Sequence, residues 1–433
     1  MRLTVVTWAN IAFWSLWLLA LLWCKFNSFD DPSSIFYNQE IAYSQRYSAQ
    51  RGAQVDEFFR SNSGAPSSGN RTSALPPSEQ LLCIGIPSIN RTSEGFLAHT
   101  VGSLVDTLSP AERKSIHIAV LLADKTPTEH FAYGQPWLSN LADEVLVYEQ
   151  PGADHDHADY RTIPYNNRED GQPRGDGRVE NMRLDHSVLV ETCRSRGTPY
   201  FAFIEDDVIA SPDWFKKFSA GVAQVEDFSK RSAIDWLYLR LFYSEIFMGW
   251  NSEEWPQYFG VIGIVYAVAI IVLLELRRRR HGRISCTGRH KYAPLRPVGD
   301  SRHTFNYLSA LVLGLWLPAG ISLVFLAGRI SLARLNPFPR PAVREMPRYG
   351  CCAQGLVFPS RHLSGFQSLL RDPPFDFAGD MLLEDYAGRN NLKKWALEPS
   401  VLQHVGLKES SEGVRIAEVW NFSFERGRDF LRA

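Results

Sequence analysis

Residues 200–208 read YFAFIEDDV, an apolar and aromatic run that stops at three consecutive carboxylates, Glu205, Asp206 and Asp207. Tyr200, Phe201, Phe203 and Ile204 are strand formers, and so unbroken an apolar run predicts a buried strand. In an open α/β sheet, ligands collect at the carboxyl ends of strands. Three acids placed there repel one another unless a cation lies among them, and hard oxygen donors suit Mg²⁺ or Mn²⁺. The triplet therefore reads as a divalent-metal site for a phosphate-bearing substrate. A solvated turn leading into a helix at Ser211-Pro212-Asp213 is the other reading, and these residues alone do not separate the two.

Three apolar segments set the surroundings. Val5 to Trp23 is almost unbroken apolar sequence of bilayer-spanning length. Lys25 follows at once with no small-residue cleavage pattern, so the segment reads as an uncleaved signal anchor. Residues 258–276 (YFGVIGIVYAVAIIVLLEL) carry one acid, Glu275, near their end. Residues 305–328 (FNYLSALVLGLWLPAGISLVFLAG) carry no charge, and their Pro318 is tolerable inside a membrane helix. Between these two segments, Arg and Lys residues from Arg277 to Arg302 are set against one acid, Asp300. The positive-inside rule places that 277–303 loop and the N-terminus in the cytosol, and both long flanks in the lumen.

The totals agree. A formal charge of −1 gives no nucleic-acid signature, and 12% aromatic residues suit membrane segments. Six cysteines are too few for a disulfide-built scaffold. Cys83, Cys193, Cys351 and Cys352 fall on the lumenal side and could pair, with the pairing open. The sequons at Asn70, Asn90 and Asn421 fall there too and are candidate N-glycosylation sites.

The chain then divides into an anchor (1–25), a polar stem (26–80), the first part of an α/β domain (81–256), a membrane hairpin (257–330) and a second part (331–433). The stem includes a Ser/Gly/Pro/Asn stretch at 61–73 that cannot build a core, and a segment at 35–59 with helical character. Strands are expected at 81–89 (LLCIGIPSI, ending in Pro87 and Ser88), 116–122 and 143–148, with a helix between the first two. This alternation predicts a parallel sheet with crossover helices. Residues 152–178 read as a solvated loop in which His155 and His157 share no helix face. A helix at 179–194 should turn its polar start, Glu180, Asn181, Arg183 and Asp185, toward whatever the sheet binds. In the closing segment, Gly355 within CCAQGLVFP suggests close approach of a strand to a ligand. Asp380 and Glu384 share one face of a helix, and His404 sits in the run QHVG.

An anchor, a GIP strand, the EDD triplet, a membrane hairpin, a CC-x-Q-G strand, a D-M-L-L-E-D-Y helix and a closing QHVG thus follow one another over most of residues 81–433. In that order they resemble the Golgi GPI-glycan N-acetylgalactosaminyltransferase family (post-GPI attachment to proteins factor four). The soluble parts are more distantly similar to the N-acetylglucosaminyltransferase IV family. The resemblance implies a glycosyltransferase-A fold, Rossmann-like, split by a tandem transmembrane insertion and lumenal in the Golgi membrane. It implies inverting transfer of a sugar, expected to be N-acetylgalactosamine, from a UDP-sugar to the glycan of a GPI anchor or GPI-anchored protein. By the same resemblance Asp207, with Asp206 or Glu205 beside it, and His404 would hold Mn²⁺ (or Mg²⁺). Glu205, Asp206, Gln354, Gly355 and Pro87 would line the donor, and Asp380, with Glu384 as substitute, would be the general base. An N-glycan branching enzyme and a non-catalytic membrane adaptor with a degenerate transferase fold are the competing expectations.

Overall fold

The computed structural model describes residues 3–42, 47–62, 76, 79–90, 95–149, 159–165, 177–243, 248–286, 298–333, 335, 342–346, 353–375, 377 and 379–406. The chain forms two compact units, Met1–Ala42 with Glu245–Phe338, and Tyr43–Ser244 with Pro339–Ala433.

The second unit is mixed α/β. Its strands are β1 (Leu82–Ser88), β2 (Ile116–Leu122), β3 (Glu144–Tyr148), β4 (Tyr160–Ile163), β5 (Tyr200–Ile204), β6 (Val208–Ala210), β7 (Trp236–Arg240), β8 (Val343–Glu345), β9 (Gly355–Pro359), β10 (Lys393–Leu397) and β11 (Leu402–His404). Nine of them make one sheet in the order β4-β3-β2-β1-β5-β9-β7-β10-β8. The run from β4 to β5 is parallel, β9 is antiparallel to both β5 and β7, β10 is parallel to β7, and β8 is antiparallel to β10. Every residue of β2, and all but Pro87 in β1, is buried, as expected where crossover helices cover both faces of parallel strands. The position of β9 has a consequence for assembly. This strand, encoded after the two internal apolar segments, lies between β5 and β7, which are encoded before them. Neither stretch of sequence can complete the sheet alone.

Cys83 of β1 is disulfide-bonded to Cys193 of the helix Gly177–Arg196, across a sequence separation of 110. The bond answers the pairing that the sequence left open for these two; Cys351 and Cys352 lie outside the described residues. A cross-link over so long a loop typically stabilises by about 2–4 kcal/mol. The helix Tyr47–Asn62, expected in a free stem, instead packs within this unit against the helix Leu97–Val105. The physical reason is an apolar face, Val55 and Phe59, that fits over Gly102.

Among the described residues of the first unit, three helices are long and apolar enough to cross a membrane: Val5–Asn27, Ser252–Arg279 and His303–Ala327. Ahead of Pro318 the third passes through a π-helical stretch, Val312–Trp316, the local adjustment expected where a proline removes a backbone donor. Trp316 Nε1 there donates to Asn10 Oδ1 (3.0 Å), its ring stacks on Phe13, and Trp17 Nε1 donates to the Ala319 carbonyl (2.8 Å). The N-terminal helix is therefore packed onto the third rather than standing alone. Beyond both helices, buried Asp31 accepts the Ser331 N–H (2.7 Å) and the Ser33 N–H (2.8 Å). Arg329 is paired with Glu254 near the start of the second helix. The end of the first helix, the start of the second and the end of the third thus meet at one end of this unit.

Candidate active site

The apolar run of β5 ends at Ile204, and the chain turns through Glu205, Asp206 and Asp207 into β6. β6 pairs antiparallel with β11 in the register Val208↔His404, Ile209↔Gln403 and Ala210↔Leu402. This short ribbon delivers His404 to the triplet, with Nε2 3.1 Å from Asp207 Oδ2. The Val405 N–H donates to the Asp207 carbonyl (2.9 Å). At Gly406 a Cβ would lie 2.2 Å from Asp207 Oδ2, so the carboxylate occupies the space a side chain would need. The glycine of QHVG is thereby explained.

Among the described residues, Glu205, Asp207 and His404 are close enough to share one ion, their donor atoms lying within 4.8 Å of one another. Two carboxylates and an imidazole fit a divalent ion of the Mn²⁺ type, which accepts mixed oxygen and nitrogen donors. Asp206 is directed differently. Its Oδ2 accepts a hydrogen bond from Ser88 Oγ at the end of β1 (2.6 Å), and its carbonyl lies 2.7 Å from Thr100 Oγ1. Ser88 Oγ in turn lies 3.1 Å from His130 Nε2. The Ala132 N–H donates to His130 Nδ1 (3.1 Å), so that nitrogen carries no proton, and burial pushes the imidazole down to about 4. The neutral ring therefore holds its proton on Nε2, and donation runs from His130 through Ser88 to Asp206.

Gln354 precedes Gly355, which is in register with Ile204, so its backbone lies at the end of β9 next to the start of the triplet. Gln354 is 8% exposed and its Oε1 has no hydrogen-bond partner among the described residues. The close approach that Gly355 permits is to protein rather than ligand: a Cβ there would meet Leu402 Cδ1 at 2.4 Å and Leu241 Cβ at 3.2 Å. Pro87 is half-buried in β1, one residue before Ser88. In the first half of the helix Gly177–Arg196, Glu180 and Arg183 are buried, and Arg183 Nη1 donates to the Phe377 carbonyl (3.0 Å). Asn181 is exposed. Asp185 accepts from the Tyr148 hydroxyl; burial, reinforced by the charge of Asp124, raises its carboxyl to about 7.

Glu384 sits apart from the triplet, 7% exposed, in a buried group with Tyr238 and Arg240 of β7 and Lys394 of β10. Its carboxylate takes the Arg240 guanidinium at 3.1 Å, the Lys394 ammonium and the Tyr238 hydroxyl. Asp380 lies in the first turn of the helix Gly379–Arg389; its side chain lies outside the described residues. So do Asn70, Asn421, His155 and His157. Asn90 is exposed, but its carboxamide already donates to the Glu129 carbonyl (2.8 Å). Sequence reasoning did not find Thr100, Asp124, His130 or Tyr148. They belong to no motif, and only the fold brings them to the strand ends.

A carboxylate cluster at the carboxyl edge of a parallel-rich sheet, completed by a histidine from the far end of the chain, defines a domain of the kind that binds charged ligands at its strand ends. A family model described as GPI-N-acetylgalactosamine transferase PGAP4 matches residues 82–403, so the chain belongs to that family. Among curated relatives, alpha-1,3-mannosyl-glycoprotein 4-beta-N-acetylglucosaminyltransferase B of Mus musculus is 29% identical over 136 residues, covering 30% of this chain and 24% of the relative. The Danio rerio protein of the same name is 25% identical over 147 residues, covering 31% and 24%. The corresponding transferase C of Macaca fascicularis is 26% identical over 198 residues, covering 40% of each chain. The chain therefore spans about a quarter of the length of the first two relatives.

Proposed function

We propose that this chain is a membrane-bound, metal-dependent glycosyltransferase of glycosyltransferase-A fold. It transfers N-acetylgalactosamine, with inversion, from a UDP-sugar to the glycan of a GPI anchor in the Golgi lumen. The observation that carries the reading is the Glu205–Asp207–His404 cluster, assembled at a strand end from both parts of a split domain. Family membership supports the transferase class and the GPI acceptor. The Cys83–Cys193 disulfide supports an oxidising compartment, and the meeting of helix ends in the membrane unit supports one lumenal side for both flanks.

Glu205, Asp207 and His404 would hold Mn²⁺ or Mg²⁺. When bound, that ion supplies charge that stabilises a departing diphosphate without proton transfer. The rest falls to the chain's own residues. Gln354, buried with a carbonyl oxygen unmatched among the described residues, would accept a hydrogen bond from a donor-sugar hydroxyl or amide. Ser88 and His130 fix Asp206, which with Pro87 forms the donor side of the β1 end. An inverting displacement requires a carboxylate within hydrogen-bond reach of the attacking hydroxyl, the role assigned to Asp380. Glu384 serves as the anchor of the Asp380 helix. The two apolar helices encoded between β7 and β8 confine the domain to the bilayer, where a lipid-linked acceptor is concentrated.

The test is a donor screen. Purified full-length protein is given UDP-N-acetylgalactosamine, UDP-N-acetylglucosamine or UDP-galactose with a GPI glycan, with Mn²⁺ or a chelator, beside Asp207→Ala. Metal-dependent transfer from the first donor, abolished in the variant, is expected. Equal behaviour of wild type and Asp207→Ala would refute the catalytic reading, and transfer from another donor would refute the sugar.

A further inference from the structure

We infer that the helix Tyr47–Asn62, which precedes the family-matched region, is a positioning element of the metal cluster, with Arg51 and Tyr47 as its working residues. The inference rests on the metal reading above. β6 and β11 pair over three residues each, and an isolated two-stranded ribbon of that size has no stability of its own. The position of His404 against Asp207 therefore depends on what holds the ribbon.

Two elements grip β6. The helix Leu97–Val105 supplies Thr100 Oγ1, which accepts the Val208 N–H (3.2 Å), and Ser103 Oγ, which accepts the Ala210 N–H (2.9 Å). The helix Tyr47–Asn62 supplies Arg51, 1% exposed, whose Nε donates to the Ala210 carbonyl (2.9 Å). The same guanidinium donates to the Ser103 carbonyl (3.2 Å) and pairs through Nη1 with Asp106 Oδ2 (2.6 Å). Tyr47, itself buried, clusters with Ile209 of β6, and Val405, the residue after His404, packs against that cluster. Closeness of the two helices is set by Gly102, where a Cβ would meet Val55 Cγ1 at 2.6 Å and Phe59 Cε2 at 2.9 Å.

A buried ion pair is a poor device for stability alone, since a well-packed apolar pair does as well. What Arg51 adds is a planar, fixed set of donors that ties β6, the 97–105 helix and its own helix in one geometry. A chain shortened to the family-matched region would lose this support, and with it the register of His404 on Asp207.

The experiment titrates Mn²⁺ alone, followed by its electron paramagnetic resonance, into full-length protein in detergent. Wild type is compared with Arg51→Met, Tyr47→Ala and His404→Ala, and with Arg51→Met/Asp106→Leu, which removes both charges and guards against misfolding. Hydrogen exchange of residues 208–210 and 402–406 is measured in parallel. The helix variants should bind Mn²⁺ about tenfold or more weakly, the loss typical of second-layer support around a metal. They should exchange faster in the ribbon and recover wild-type kcat at saturating Mn²⁺. Wild-type Mn²⁺ affinity in variants whose ribbon exchanges faster would overturn the inference. If wild type binds Mn²⁺ no better than His404→Ala, the metal reading fails first and this inference falls with it.

Discussion

Replacing Glu384 by Gln separates two roles for one carboxylate. The side chain is 7% exposed, and Arg240, Lys394 and Tyr238 converge on it from β7 and β10. Arg240 is itself 1% exposed, and its guanidinium lies 5.0 Å from the centroid of the Tyr238 ring. Gln keeps the size and one acceptor but removes the negative charge that two buried cations share. Breaking a buried ion pair from one side costs about 3–5 kcal/mol. For a domain of this size that is a fall in Tm on the order of 5–15 °C. Thermal unfolding in detergent, followed by tryptophan fluorescence, measures the first effect, and kcat well below the transition measures the second. An anchor gives a large Tm loss with kcat within a few-fold of wild type, and adding Lys394→Met should restore part of the stability. A variant with wild-type Tm and collapsed kcat would refute this reasoning and make Glu384 a chemical base.

Two further outcomes follow from the site. Asp185 has an ordinary pKa of 3.8 and is raised to about 7 in the fold, so the native state keeps a proton that the unfolded chain releases between those values. Stability from this group is present below the lower pKa and lost as pH rises through the upper one. Asp185→Asn should therefore flatten the pH dependence and be more stable above pH 7 by up to about 4 kcal/mol, read from Tm at about pH 5 and about pH 8. An unchanged pH profile would refute it. Gly406→Ala drives a Cβ to 2.2 Å from Asp207 Oδ2, and Mn²⁺ affinity should fall about tenfold or more. Gly52→Ala, where a Cβ meets nothing within 4 Å, is the control and should bind as wild type.

Much of the fold was legible because local patterns carry it. The buried strands at 82–88, 116–122 and 200–204 announce themselves by apolar runs, and three helices long and apolar enough to span a membrane by length with little charge. The triplet was visible because three acids at a strand end are locally unfavourable. Its internal division was not visible, because Ser88 and Thr100 claim Asp206 from 118 and 106 residues away. Gly355 misled for a related reason. A glycine signals close approach without saying to what, and Leu402 of a later strand supplies the answer.

The sequence by itself determined which segments are apolar enough for membrane or core, where the acids stand, and a resemblance to the family whose model matches residues 82–403. Those properties depend on composition and short-range spacing. Only the tertiary structure decided that β9 lies between β5 and β7, that Glu205 rather than Asp206 joins Asp207 and His404, and that Glu384 is held by two cations. It also turned residues 47–62 from a spacer into a buttress. Each of these depends on contacts between residues far apart in the chain, and no local pattern encodes which distant partner an extended strand or a buried charge will meet.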